Sequence, residues 1–141
     1  MNASVKPTIY RSEYRAPAYL VHEVTLDVDI RDGHTVVAAT LQMERAPGTA
    51  DDAPLRLYGV DLDLELLHVD GKVVPHEQLR HEGEELVLTG PLPSRFELHS
   101  RVLIRPEANT ALEGLYCSNG MYCTQCEPEG FRKITYYPDR P

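Results

Sequence analysis

The chain has 141 residues, enough for one domain with a core that needs no disulfide or metal to hold it. Its formal net charge is −8 and its basic residues are scattered, which excludes the concentrated cationic surface that binds phosphate backbones. No apolar run approaches the length needed to span a bilayer, and "MNASVKPTIYRSEYRAPAY" has neither a basic start leading into an apolar stretch nor a cleavage-like site, so the expectation is a cytoplasmic chain that avoids nucleic acid and membrane.

From the N-terminus, "LVHEVTLDVDI" sets Leu20, His22, Val24, Leu26, Val28 and Ile30 against Val21, Glu23, Thr25, Asp27 and Asp29. That is strand periodicity with one face buried. Asp32-Gly33 supplies a turn, and "TVVAATLQME" returns with Val37, Ala39, Leu41 and Met43 in phase, predicting a hairpin. A polar loop, "RAPGTADDAP", separates this pair from "LRLYG" and "VDLDLELLHVD", where Val60, Leu62, Leu64 and Leu66 share a face before a second turn at Asp70-Gly71. "EELVLTG" and "SRFELHSRVLIRP" complete the pattern, the latter with Phe96, Leu98, Val102 and Ile104 facing one way. Six or seven short strands at this spacing predict an all-β, mostly antiparallel sandwich or curved sheet. Only "PHEQLR" (Pro75 to Arg80) and "NTALEGLY" (Asn109 to Tyr116) have the makings of a helical turn. The expected organisation is one domain over 1–141, a β scaffold over about 15–106 followed by a partly irregular tail over 107–141.

The tail concentrates the unusual chemistry. All three cysteines, Cys117, Cys123 and Cys126, lie there, and their odd number in a chain without an export signal favours free thiols. Cys123 and Cys126 form a C-x-x-C, but Pro128 and Gly130 disfavour the following helix that would activate a redox pair, and no His or Cys follows to complete a tetrahedral zinc site. Buried structural thiols are the plainer reading. The six histidines show no metal-binding helical pair. His22, on an apolar strand face, reads as a packed and hydrogen-bonded ring, and His34, His68, His76, His81 and His99 as surface or turn residues. No nucleophile elbow, phosphate-binding loop or dinucleotide fingerprint is present. Gln125, Glu127 and Glu129 form a polar cluster held by Pro128, which reads either as a receptor for an ammonium group or as an exposed acidic loop. Arg132, Lys133, Asp139 and Arg140 read as a solvated face.

Taken together, "ANTALEGLY" from Ala108 and "CTQCEPEGFRKITYYPDRP" from Cys123 resemble the N-terminal domain of bacterial aminopeptidase N, a family of zinc metallo-aminopeptidases. "YRAPAYLVHEVTLDVDI" and "DAPLRLYGVDLDLELLHVDG" look like the start of the same domain, so the resemblance runs from about Tyr14 to the end of the chain. It implies a saddle-shaped, mostly antiparallel β-domain lying over a catalytic domain. It implies also that the zinc and its ligands lie downstream, so that this segment holds no metal or cofactor and is inactive alone. On the matching positions, Glu127 would bind the free α-amino group of a peptide and Gln125 would line the pocket for its first side chain. The implied partners are therefore a peptide N-terminus and the catalytic domain of the same polypeptide. Pro128 stands where the family's pattern has alanine, and it removes a backbone donor beside Glu127. Two other readings stay open: a stand-alone β-module that binds peptide N-termini, and a small zinc or redox domain built on the three cysteines.

Overall fold

The computed structural model describes residues 7–140. Its strands are β1 (Tyr19–Arg31), β2 (His34–Arg45), β3 (Leu55–Tyr58), β4 (Asp63–Val69), β5 (Lys72–Val73), β6 (Leu79–Glu82), β7 (Glu85–Leu88), β8 (Arg95–Ile104), β9 (Gly114–Ser118) and β10 (Met121–Gln125). The fold is all-β as expected, with antiparallel pairing throughout, and it does not close into a barrel. The periodicity count fell short because β5, β6 and the β9–β10 hairpin are too brief to show alternation. Among the described residues the helical elements are short 3-10 turns, and no helix is long and apolar enough to cross a membrane.

One sheet has the order β1-β2-β8-β4-β5, a second β3-β7-β6, and β9 and β10 form a separate hairpin. The β1–β2 hairpin turns at Gly33 (φ +77°), and β4 turns into β5 through Asp70 and Gly71, both with positive φ, as the two Asp-Gly pairs predict. Register then fixes which side chains meet. Across β1, β2 and β8, Val24, Leu41 and Leu98 align, followed by Leu26, Ala39 and Ser100, by Val28, Val37 and Val102, and by Ile30, Thr35 and Ile104. The β2 and β8 members of these rows are buried, and Val37, Leu41, Leu98, Val102 and Ile104 among them form one cluster with Leu55 and Leu57 of β3 and Leu86 and Leu88 of β7. Apolar burial of this kind stabilises by roughly 25 cal/mol per Å². Leu115, Ile134 and Tyr136, from the tail, belong to the same cluster.

Two β-bulges overturn parts of the alternation. In β1 the register shifts between Val21 and Glu23, so His22 leaves the apolar row. Its ring is exposed, with Nε2 2.6 Å from the Glu44 carboxylate. In β4 a shift between Leu64 and Leu66 passes the inward position to Leu67. Each inserts one residue and reverses the parity of all that follow, which periodicity cannot anticipate. The expected burial of the β1 face fails for a different reason. Val24, Leu26, Val28 and Ile30 are in phase with the core but 38%, 36%, 44% and 44% exposed, because β1 is the sheet edge. His68 and His99 are half-buried register partners in β4 and β8, and His99 Nδ1 lies 3.1 Å from Thr40 Oγ1.

Leu57 is fully buried, so Leu57→Ala is expected to cost about 3 kcal/mol of unfolding free energy in urea titration, the range for a core leucine. Thr35 is also fully buried, but its hydroxyl has no partner. Thr35→Val is therefore expected to stabilise by about 1 kcal/mol in the same titration; a lower midpoint would mean that the hydroxyl is satisfied in solution.

Candidate functional site

The candidate residues sit just after a hairpin whose turn has a plain chemical cause. Asn119 and Gly120 both take positive φ, as the two-residue loop between β9 and β10 requires. β10 ends at Gln125, and the chain reverses through Cys126 to Gly130, whose amide donates to the Cys126 carbonyl at 2.8 Å. The Glu127-Pro128 peptide is cis. Gln125 and Glu127 are brought together: the Gln125 amide Nε2 donates to the Glu127 backbone carbonyl at 3.1 Å. Both residues are exposed. Among the described residues the Glu127 carboxylate has no hydrogen-bond or ion-pair partner, which leaves its charge free for a ligand.

What holds this loop is close backbone packing. A Cβ on Gly130 would stand 2.1 Å from the Gln125 carbonyl oxygen and 2.9 Å from the Gly114 amide nitrogen. A Cβ on Gly114 would stand 2.7 Å from the Lys133 Cβ, and Gly114 has a φ of +72°. The two glycines thus let the reverse turn lie against the start of β9. Before β9, the Asn109 side-chain amide donates to the carbonyls of Glu113 and Leu115, and its oxygen accepts from the Ala111 amide. This replaces the helical turn expected over "NTALEGLY": Asn109 stabilises a loop instead, with Leu112 and Gly114 in the left-handed region, and the 3-10 turn lies earlier, over Pro106–Ala108.

Beyond the loop, Arg132 is not part of a solvated face. It is mostly buried, donates to Asp139 (2.5 Å) and Glu84 (3.0 Å), lies 3.6 Å from Glu129, and its guanidinium carbon stands 4.3 Å from the centre of the Tyr58 ring. Lys133 is likewise mostly buried and pairs with Asp61 at 2.9 Å. Backbone bonds between Tyr58 and Tyr137 and from Val60 to Arg132 tie this segment to the β3 end of the scaffold. The hairpin is tied separately, through the Tyr122 hydroxyl and the Glu107 carboxylate at 2.5 Å. That bond pushes the Tyr122 hydroxyl up to about 12 and lowers Glu107 below its ordinary value.

The cysteines depart from the buried reading. Cys126 is exposed, Cys117 and Cys123 are half-buried, and all three are free. Among the described residues no group of three or more His, Cys, Asp or Glu side chains is placed to hold a metal ion. Sequence reasoning does not identify Gly114, Gly130, Tyr122 or Glu107 as supports of the site; Gly130 reads there only as disfavouring a helix. The Asn119-Gly120 pair was the one local signal for the hairpin.

Gly130→Ala is expected to destabilise by about 1–3 kcal/mol in urea, because backbone and not a flexible side chain occupies the Cβ position; an unchanged midpoint would show that the turn relaxes freely. The Glu107 contribution is present above its ordinary carboxyl range and is lost as pH falls through the lowered value. The Tyr122 contribution is present below about 10 and is lost as pH rises through about 12. In an absorbance titration, referenced to Tyr122→Phe, Glu107→Gln should bring Tyr122 ionisation back toward about 10. No change would show that the bond does not form in solution.

No protein-family model matches the sequence. The chain is 48% identical over 132 residues to aminopeptidase N of Escherichia coli (strain K12), covering 94% of this chain and 15% of that protein. It is 36% identical over 141 residues to aminopeptidase N of Caulobacter vibrioides, covering 100% of this chain and 16% of that one. Among solved structures, Legionella pneumophila aminopeptidase A in complex with aspartic acid superposes with a TM-score of 0.81 at 24% identity, over 92% of this chain and 15% of that chain. An M1 zinc metallopeptidase from Deinococcus radiodurans does so with 0.69 at 17%, over 89% of this chain and 30% of that chain. At these identities the superpositions establish a shared fold. The kinship rests on the sequence matches, and the chain spans about 15% of the length of those curated relatives. Over most of its length this chain is homologous to bacterial aminopeptidase N of the M1 family, as a domain-sized part of such a protein.

Proposed function

We propose that this segment anchors the free α-amino end of a peptide for a zinc aminopeptidase, with Glu127 as the receptor for the ammonium group and Gln125 beside the first side chain. The observation that carries this reading is the unpaired, exposed Glu127 carboxylate at the end of a braced hairpin, within a chain homologous to aminopeptidase N. A free α-amino group titrates near about 8 and is largely cationic at neutral pH. An internal peptide segment has no such charge and would not be held.

The magnitude of the attraction decides what the segment does alone. Two unit charges about 4 Å apart attract by about 1 kcal/mol in water and about 4 kcal/mol at an effective dielectric near 20. With Glu127 open to solvent, the lower figure applies, so useful anchoring requires further protein to cover the site. That favours a role within a longer polypeptide over a stand-alone binding module. The described side chains do not fit a zinc site. Hydrolysis is accordingly assigned to a part of the enzyme outside this segment, and the segment's own contribution is binding and orientation. A reducing, cytoplasmic setting belongs to the same reading, supported by three free thiols.

The test joins this segment to its catalytic part. Glu127→Gln is expected to lower kcat/KM for unblocked peptides at least tenfold, about 1.4 kcal/mol of lost transition-state binding. Gln125→Ala should redistribute preference among first side chains. Unchanged kinetics in Glu127→Gln would remove the residue from the site.

A further inference from the structure

The turn that carries Glu127 is gripped at its two ends. At its start, Gln125 pairs with Gly114 across the β9–β10 hairpin. At its end, Glu129 meets Arg132 twice: the Arg132 backbone amide donates to the Glu129 carbonyl at 3.2 Å, and Nη2 lies 3.6 Å from the Glu129 carboxylate. Between these grips Pro128 has no amide to donate, and the exposed Glu127 carboxylate has no partner among the described residues. Where that carboxylate stands is therefore set by how the ends of the turn are held.

The far end is held through one side chain. Each guanidinium nitrogen of Arg132 faces a different carboxylate: Nε donates to Asp139 at 2.5 Å, Nη1 donates to Glu84 at 3.0 Å, and Nη2 faces Glu129. The same group lies over the Tyr58 ring, its carbon 4.3 Å from the ring centre. Tyr58 ends β3 and Glu84 lies in the turn between β6 and β7, so the end of the turn is referred to the scaffold at two separate points. The Arg132 side chain is only 15% exposed, so the array is screened less than a surface pair would be.

We infer that Arg132 is a positioning residue for amine recognition: by holding Glu129 it fixes where the Glu127 carboxylate stands, an inference that rests on the anchoring role proposed above. Pairing with Arg132 occupies Glu129 and leaves Glu127 as the unpaired carboxylate of the turn. Three carboxylates outnumber the one guanidinium, so the cluster does not repel an ammonium group bound nearby. Lysine cannot replace arginine here. It keeps the charge but has a single nitrogen, which cannot face three carboxylates in one plane while stacking on a ring. A carboxylate displaced by about 1 Å loses much of a directed contact.

The test uses the full-length enzyme that contains this segment and two probes, phenylalanine hydroxamic acid and hydrocinnamohydroxamic acid. They share a zinc-binding group and a side chain and differ in the α-amino group, so the ratio of their dissociation constants by calorimetry reads the amine contact alone. Arg132→Lys is expected to lower the advantage of the amine-bearing probe at least fivefold and to leave the affinity for the other within about twofold. Glu84→Gln, at an exposed position in the β6–β7 turn whose side chain reaches the site only through Arg132, should lower the same advantage at least threefold, which keeps the test open if Arg132→Lys does not fold. In a Glu127→Gln background, where the advantage is already lost, neither substitution should reduce it further. Equal weakening of both probes would reduce Arg132 to a structural role and overturn the inference. So would an advantage that falls in Glu127→Gln but is unchanged in Arg132→Lys and Glu84→Gln, which would leave the anchoring role standing, and so would losses that add in the double variants. An advantage untouched by Glu127→Gln would instead remove the anchoring role, and this inference with it.

Discussion

The pairing of β2 with β8, in register from Thr35 opposite Ile104 to Glu44 opposite Arg95, is the constraint on which the rest of the molecule depends. It sets Val37, Leu41 and Met43 beside Val102, Leu98 and Phe96 and so builds the floor of the core. β3 and β7 cover that floor with Leu55, Leu57, Leu86 and Leu88. A one-residue slip would turn the same side chains toward solvent, so burial and register enforce each other. β1 and β4 attach on either side, and each carries a bulge where strict alternation would have aimed a side chain wrongly.

The candidate site is built outside this sheet and braced back to it by three different kinds of contact. Leu115, Ile134 and Tyr136 contribute apolar burial, Arg132 contributes ion pairs and a stacked Tyr58, and Gly114 and Gly130 permit a backbone approach that no side chain would allow. The result is a rigidly supported turn bearing a carboxylate that stays in water. Positioning without desolvation is half of a binding site. Under the proposed anchoring role, the weak attraction at high dielectric means that further protein must cover this turn.

β1 shows the same incompleteness at the other side of the sheet. Its apolar residues have the pattern of a buried strand, and their exposure comes from position, since the covering strands lie over β2 and β8. Hydrophobic pattern records which side chains would lower their free energy by burial. It does not record whether a neighbour is present to bury them.

The sequence by itself determined the all-β class, the β1–β2 hairpin, the turns at Asp32-Gly33 and Asp70-Gly71, and the inward rows of β2 and β8, because alternation and turn chemistry are local properties of the chain. It also carried the likeness to aminopeptidase N in the run from Cys123 to Pro141. Only the tertiary structure decided that His22 faces water beside Glu44, that Leu67 replaces Leu66 in the core, that Arg132 is an anchor, and that Gly114 and Gly130 brace the turn bearing Glu127. Each of these depends on residues distant in sequence: a bulge is defined by the opposing strand, an ion pair by its partner, and a close approach by the backbone on the other side.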